Sequence, residues 1–119
     1  MQKTLPLLAY FLCFAYLHAQ AQNKKVLDSL MTVYQTNKHD TTRLLALANI
    51  AAYYMNSKPD TCIYIAQKAL AQSIKINFEK GKAWAWNRMG IGYYIKGEYP
   101  EALTYYQKSL FVFEQMQDI

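Results

Sequence analysis

An internal repeat constrains the fold of this chain more than any other feature of its 119 residues. The segment 44–76 returns at 83–116, shifted by 39 residues before an inner turn, where Ile50-Ala51 aligns with Met89-Gly90. Past the turn the shift is 40, which aligns Cys62 with Ala102 and Ala69 with Ser109. The spacing puts the one-residue difference in a shorter turn at Ser57–Asp60. Units of this size that each read as a helix pair stack on one another instead of closing around a single centre.

The helix reading comes from apolar residues recurring at three and four. Val26, Leu27, Leu30 and Val33/Tyr34 predict a first helix over 24–36, and Asn37 to Asp40 break it. Asp40 or Thr41 can cap a second helix over 42–56, which carries Leu44, Leu47, Ala48, Ala51 and Tyr54 along one side. A third helix over 59–76 opens on Pro59-Asp60, shows a narrow face of small residues at Cys62, Ala66, Ala69 and Ser73, and ends at Asn77. A fourth runs from Phe78 or Glu79 to Ile95, and a fifth from Pro100 to about Gln117. No segment alternates long enough for a strand, so the fold class is all-α.

The second unit resembles a tetratricopeptide repeat. It reads Trp86-x2-Met89-Gly90-x2-Tyr93, then the turn Gly97-Glu98-Tyr99, then Ala102-x3-Tyr106 and Ser109-x4-Glu114. Met for Leu, Tyr for Phe and Ser for Ala are mild departures, and Glu114 in place of the terminal Pro implies that the last helix runs on. The first unit is degenerate, with Leu47, Ile50-Ala51-x2-Tyr54 and Cys62-x3-Ala66-x2-Ala69 in the same register. The resemblance implies an α-solenoid of helical hairpins. Its units are a leader over 1–21, an N-terminal helix and turn over 22–40, a degenerate repeat over 41–77 and a repeat over 78–119. Gly90 and Ala102 are the small positions where the two helices of a unit approach. Trp86, Met89, Tyr93 and Tyr106 fill the space around that approach.

The start of the chain reads as an address. Lys3 precedes an apolar run from Leu5 to Leu17, and Ala19-Gln20-Ala21 follows with small residues at the two places a signal peptidase must fit. Thirteen apolar residues are too few for a membrane anchor, which needs roughly 20. Cleavage is expected after Ala21, with export across the cytoplasmic membrane to the periplasm or cell exterior. Cys13 follows Leu12 inside the apolar run, which argues against a lipid-modified cysteine. The mature chain keeps only Cys62, so it has no internal disulfide.

Composition removes several chemistries. With 53% apolar and 18% charged residues the chain is neither disordered nor collagen-like. Beyond Ala21, twelve Lys/Arg stand against eight Asp/Glu, with no cationic run longer than Lys24-Lys25 to follow a phosphate backbone, so nucleic acid is not expected as a partner. Gly90-x-Gly92 lacks a third glycine at Ile95, so no dinucleotide cradle forms. His39 stands alone in a polar turn, the acids sit near helix ends, and Ser29, Ser57, Ser73 and Ser109 lack a histidine partner. The chain reads as a non-enzyme without cofactor or metal.

What the resemblance implies instead is protein binding on the surface lined by the first helix of each unit. Those positions are Leu45, Ala48, Ala52 and Met55 in the first unit and Trp84, Asn87, Ile91 and Tyr94 in the second. The expected groove is apolar and aromatic, with Asn87 as its amide and no lysine, which suits an apolar helix or extended segment. Relatives that grip a C-terminal carboxylate use Lys, Arg and Asn there. The alternative the resemblance implies is the sensory front of a signalling protein, with a membrane anchor and a histidine kinase or transcription-regulator output beyond residue 119. Leu110-Phe111-Val112-Phe113 is apolar nearly all round, and no cap follows at Asp118-Ile119. Residues 22–119 are therefore expected to self-associate, as the opening part of a longer array.

Overall fold

A computed structural model describes residues 4–117, and all regular structure among them is helical. The helices are α1 (Thr4–Thr36), α2 (Asp40–Tyr53), α3 (Pro59–Lys75), α4 (Glu79–Ile95) and α5 (Tyr99–Gln117). Each packs on its neighbours in sequence, and α2 also meets α4. That pattern is two hairpins, α2–α3 and α4–α5, stacked so that their first helices touch: an all-α helical-repeat arrangement.

Helix ends explain where the boundaries fall. Helices α3 and α4 close alike. Asn77 (φ 56°) and Gly97 (φ 82°) take the left-handed conformation. The amide after each reaches back to the fifth residue before it, Phe78 to Ser73 at 2.8 Å and Glu98 to Tyr93 at 2.9 Å. This double-bonded ending satisfies carbonyls the helix leaves open. Helix α2 stops three residues short of the expected Asn56 and has no left-handed residue. Tyr54 and Met55 instead bond back three residues, to Ala51 and Ala52. Lys58 must then be extended (φ −143°) because Pro59 follows it. The one-residue offset between the units therefore lies in an earlier, looser end of α2, not in a shorter turn. The expected cap is also displaced: His39 is the N-cap, and Asp40 sits inside the first turn, paired with Arg43 at 3.2 Å.

Helix α1 is longer than the expected 24–36. Without a Gly or Pro after Pro6, nothing interrupts it up to Thr36. At 33 residues it is about 50 Å long, which gives the molecule its longest dimension of 62 Å. Only its final third packs: Leu27, Leu30 and Tyr34 lie on Leu44, Leu47 and Ile50 of α2. From Pro6 to Val26 every side chain is exposed.

The core runs through both hairpins. Ala51, Cys62 and Ala66 are fully buried where α2 crosses α3. Their small size lets the backbones approach, and Met89 fills the remaining space from α4. In the second hairpin the same crossing is built differently. A Cβ on Gly90 would stand 2.8 Å from the Tyr106 ring, so the glycine makes room for an aromatic. Tyr93 stacks on Tyr105 at 5.4 Å with ring planes 9° apart. Ser109, read as a mild departure from Ala, is buried, and its hydroxyl donates to the Ala83 carbonyl at 2.8 Å.

Candidate binding surfaces

The positions named for a groove are distributed over two crevices and their surroundings. Leu45 and Trp84 come together, across a cleft of about 220 Å³ between α2 and α4 that Asn49, Lys80 and Arg88 also line. Ala52 and Met55 lie at the far end of α2, in a separate crevice with Gln20 and Asn23 of α1. Ala48 is 1% exposed and belongs to the core. Ile91 is half-buried, and Tyr94 is exposed with its ring 5.4 Å from Tyr99 of α5.

The chemistry of the cleft also differs from the expected apolar, lysine-free groove. Lys80, Trp84 and Arg88 follow one another at intervals of one helical turn along α4, so one face carries a cation on each side of an indole. The Arg88 guanidinium lies 4.8 Å above the Trp84 ring. Its Nη1 donates to Asn87 Oδ1 at 3.2 Å and its Nη2 to Asn49 Oδ1 at 3.1 Å. Asn49 and Arg88 are repeat-equivalent residues, so this bond ties the two first helices together. Two neutral amides hold the cation, and among the described residues it forms no ion pair. Its Nε is shut from solvent without a partner. Burial pushes the Arg88 pKa down, yet a guanidinium keeps its charge at any ordinary pH. Trp84 has a second role, meeting Phe113 of α5 edge to face at 5.2 Å.

Sequence reasoning missed Asn49, Lys80 and Arg88, although the signal was present. A period of four along α4 puts Lys80 and Arg88 on the side that holds Trp84. Asn87, chosen as the groove amide, instead serves as the acceptor that orients Arg88.

Other reactive groups are accounted for by packing. Cys62 is fully buried and burial raises its thiol to about 11; its Sγ lies 3.5 Å from the Arg88 carbonyl, to which it donates. A protonated thiol in that setting is a small core residue, not a nucleophile. Among the described residues no three His, Cys, Asp or Glu side chains gather as a metal site, and no helix is long and apolar enough to cross a membrane.

Among the signature positions, Met89 and Ala102 are 3% and 2% exposed, Gly90 is buried, and Trp86, Tyr93 and Tyr106 are half-buried around them. Gly97 holds the turn. Residues 83–115 match the family model of the tetratricopeptide repeat. No curated protein and no solved structure matches the chain. Repeats of this kind serve as protein-interaction modules, and residues 83–115, spanning most of α4 and most of α5, carry one tetratricopeptide repeat.

Proposed function

We infer that the protein is an exported, non-catalytic adaptor that holds a peptide segment of a partner in the cleft between α2 and α4. One observation carries this reading: Arg88 is fixed by two amides and an indole, has no carboxylate partner among the described residues and borders an open cleft. A cation held this way is set to receive an anion without reorganising. Leu45 and Trp84 beside it take an apolar side chain. The matching partner segment therefore pairs an acidic group with a neighbouring apolar or aromatic residue. Lys80 adds attraction at the cleft mouth.

Intrinsic tryptophan fluorescence tests the cleft, because Trp84 lies inside it. Titration with a short peptide carrying adjacent Phe and Glu residues should quench or shift the emission, and the all-Gln analogue should not. Lys80→Ala should weaken binding by roughly twofold to fivefold, the effect of one exposed charge contact. Equal affinity for the acidic and Gln peptides would sink the reading.

Export rests on the leader pattern, and the packing is compatible with it. The side chains of residues 6–21 are all exposed and contribute nothing to the core, and the first packed residue of α1 is Leu27. Mass spectrometry of protein recovered outside a bacterial cytoplasm should find a chain beginning at Gln22. An intact chain recovered only from the cytoplasm would contradict export.

A further inference from the structure

The outer groove of the second hairpin, between α4 and α5, differs chemically from its counterpart in the first. It holds about 550 Å³ and is walled by Trp86, Phe111 and Val112, with Glu79 and Lys82 on the α4 side and Gln107 and Lys108 on the α5 side. It continues along α5 past Gln115 to Met116, about 18 Å from the level of Thr104. At shifts of 39 and 40 residues, Trp86, Phe111, Val112 and Met116 correspond to Leu47, Ala71, Gln72 and Ile76. The cleft at this place in the first hairpin, about 380 Å³ and bordered by Asp40, Arg43, Gln72 and Lys75, stays open although α4 and α5 follow it in the chain. Lys68 and Ala71 there are exposed, because α4 packs on another face of α3, against Ile63 and Ser73. The groove is therefore an outward face of the repeat, and its aromatic lining is particular to the second hairpin. The core does not call for that lining: Phe111 is 62% exposed, and the first hairpin has alanine in its place.

We propose that this groove binds an amphipathic monoanion, a single carboxylate on an unbranched apolar chain, as in a fatty acid. The volume is that of a small-molecule site. The charges select one anionic group. Lys82 is paired with Glu79 at 2.7 Å, so the α4 wall is neutral. Lys108 has no ion-pair partner among the described residues. Its ammonium stands 5.8 Å from the Trp86 ring and 5.6 Å from that of Tyr105, which keeps it at the groove wall. Polar capacity selects against a peptide, whose backbone brings an N–H and a C=O per residue that need partners. Around Trp86 the Thr104 hydroxyl donates to the Pro100 carbonyl at 3.1 Å and Lys82 is taken by Glu79, which leaves Lys108 and the Gln107 amide. Those two suit one carboxylate head, which accepts from both. The apolar chain then lies along Trp86, Phe111 and Val112 toward Met116, and its burial supplies most of the affinity. The site is separate from the α2–α4 cleft, because Trp84 and Trp86, two residues apart on α4, line different sides of the helix.

The chain has two tryptophans, one at each site, so fluorescence separates them. In Trp84→Phe the only indole is Trp86, and dodecanoate should shift its emission and saturate at one molecule per chain. Calorimetric titration of the unaltered chain should give the same stoichiometry, and it replaces the fluorescence reading if Trp84→Phe folds poorly. Lys108→Gln should weaken binding about twofold to fivefold and Phe111→Ser about tenfold. Both side chains are exposed, so the helical circular dichroism should stay unchanged. Dodecyltrimethylammonium, with the same chain and the opposite charge, should bind at least about fivefold more weakly than dodecanoate. The peptide carrying adjacent Phe and Glu should leave the Trp86 emission where it is, whatever it does to Trp84. The proposal is overturned if dodecanoate gives no saturable response, if the cationic analogue binds equally well, or if Lys108→Gln and Phe111→Ser both bind as the parent does. Displacement of dodecanoate by the peptide would overturn it too, and would assign the groove to a protein segment.

Discussion

Gly90 and Tyr106 occupy the positions that Ala51 and Ala66 hold in the first hairpin. One methyl is given up on the first helix and a phenol ring gained on the second, so two different side-chain pairs fill one crossing. The substitution Gly90→Leu drives an isobutyl group into that ring. It should lower the stability of the fold by about 1–3 kcal/mol, seen as a lower midpoint in thermal or urea unfolding; an unaltered midpoint would contradict the packing described. Cys62 provides a residue-level pH dependence. Its thiol titrates near 9 when unfolded and is raised to about 11 by burial in the fold. The native state therefore keeps its proton longer, and the associated stability is complete below pH 9 and lost as pH rises toward 11. Two units correspond to about 2–3 kcal/mol. Urea unfolding at pH 8 and pH 10.5 should show a larger drop for the native chain than for Cys62→Ala, whose slope lacks this contribution. Equal drops would show that the thiol is not desolvated. Of these residues, Gly90 was legible from the repeat signature. Tyr106 was legible as one of four large side chains around that approach, but not as the one that faces Gly90, because a signature gives spacing along the chain and not which ring enters which gap.

At the scale of elements, the ends carry the information. Gly97 and Asn77 are turn residues in the sequence and left-handed helix ends in the fold. Gly97→Ala keeps both closing hydrogen bonds but forces a Cβ into a conformation that costs an L-residue about 1 kcal/mol. Chemical denaturation should register a loss of that size, whereas Asn77→Gly should be neutral or slightly stabilising. A Gly97→Ala protein as stable as the parent would mean that the turn relaxes to another conformation. The end of α2 was misjudged for a physical reason: Tyr53-Tyr54-Met55 continues an acceptable helical pattern, while the requirement that Lys58 be extended before Pro59 acts backwards through the turn. Lys96 adds a contact between hairpins, reaching Asp60 at the start of α3 at 2.8 Å as well as Glu98 at 3.2 Å. Its hydrogen bond to Asp60, then that to Glu98, raise its pKa. The pair is exposed and orients more than it stabilises.

Across the whole molecule, stability resides in residues 27–117, and the first two-thirds of α1 project beyond it. A chain lacking residues 1–21 should match the full chain to within ~0.5 kcal/mol in denaturant unfolding. A larger loss would show that the exposed segment folds back onto the hairpins. The sequence by itself determined the all-α class, the five helices, the register between the hairpins and the repeat signature. Each of these follows from periodicity and spacing, which are properties of one chain read in order. Tertiary structure alone decided which side chains share a surface. It separated Ala52 and Met55 from Trp84, took Ala48 into the core, and brought Asn49, Lys80 and Arg88 into the cleft. The physical reason is that residues 39 or 40 apart become neighbours only when two hairpins stack, and the fit of that stacking comes from side-chain volumes such as Ile63 against Gly92, which no single helix contains.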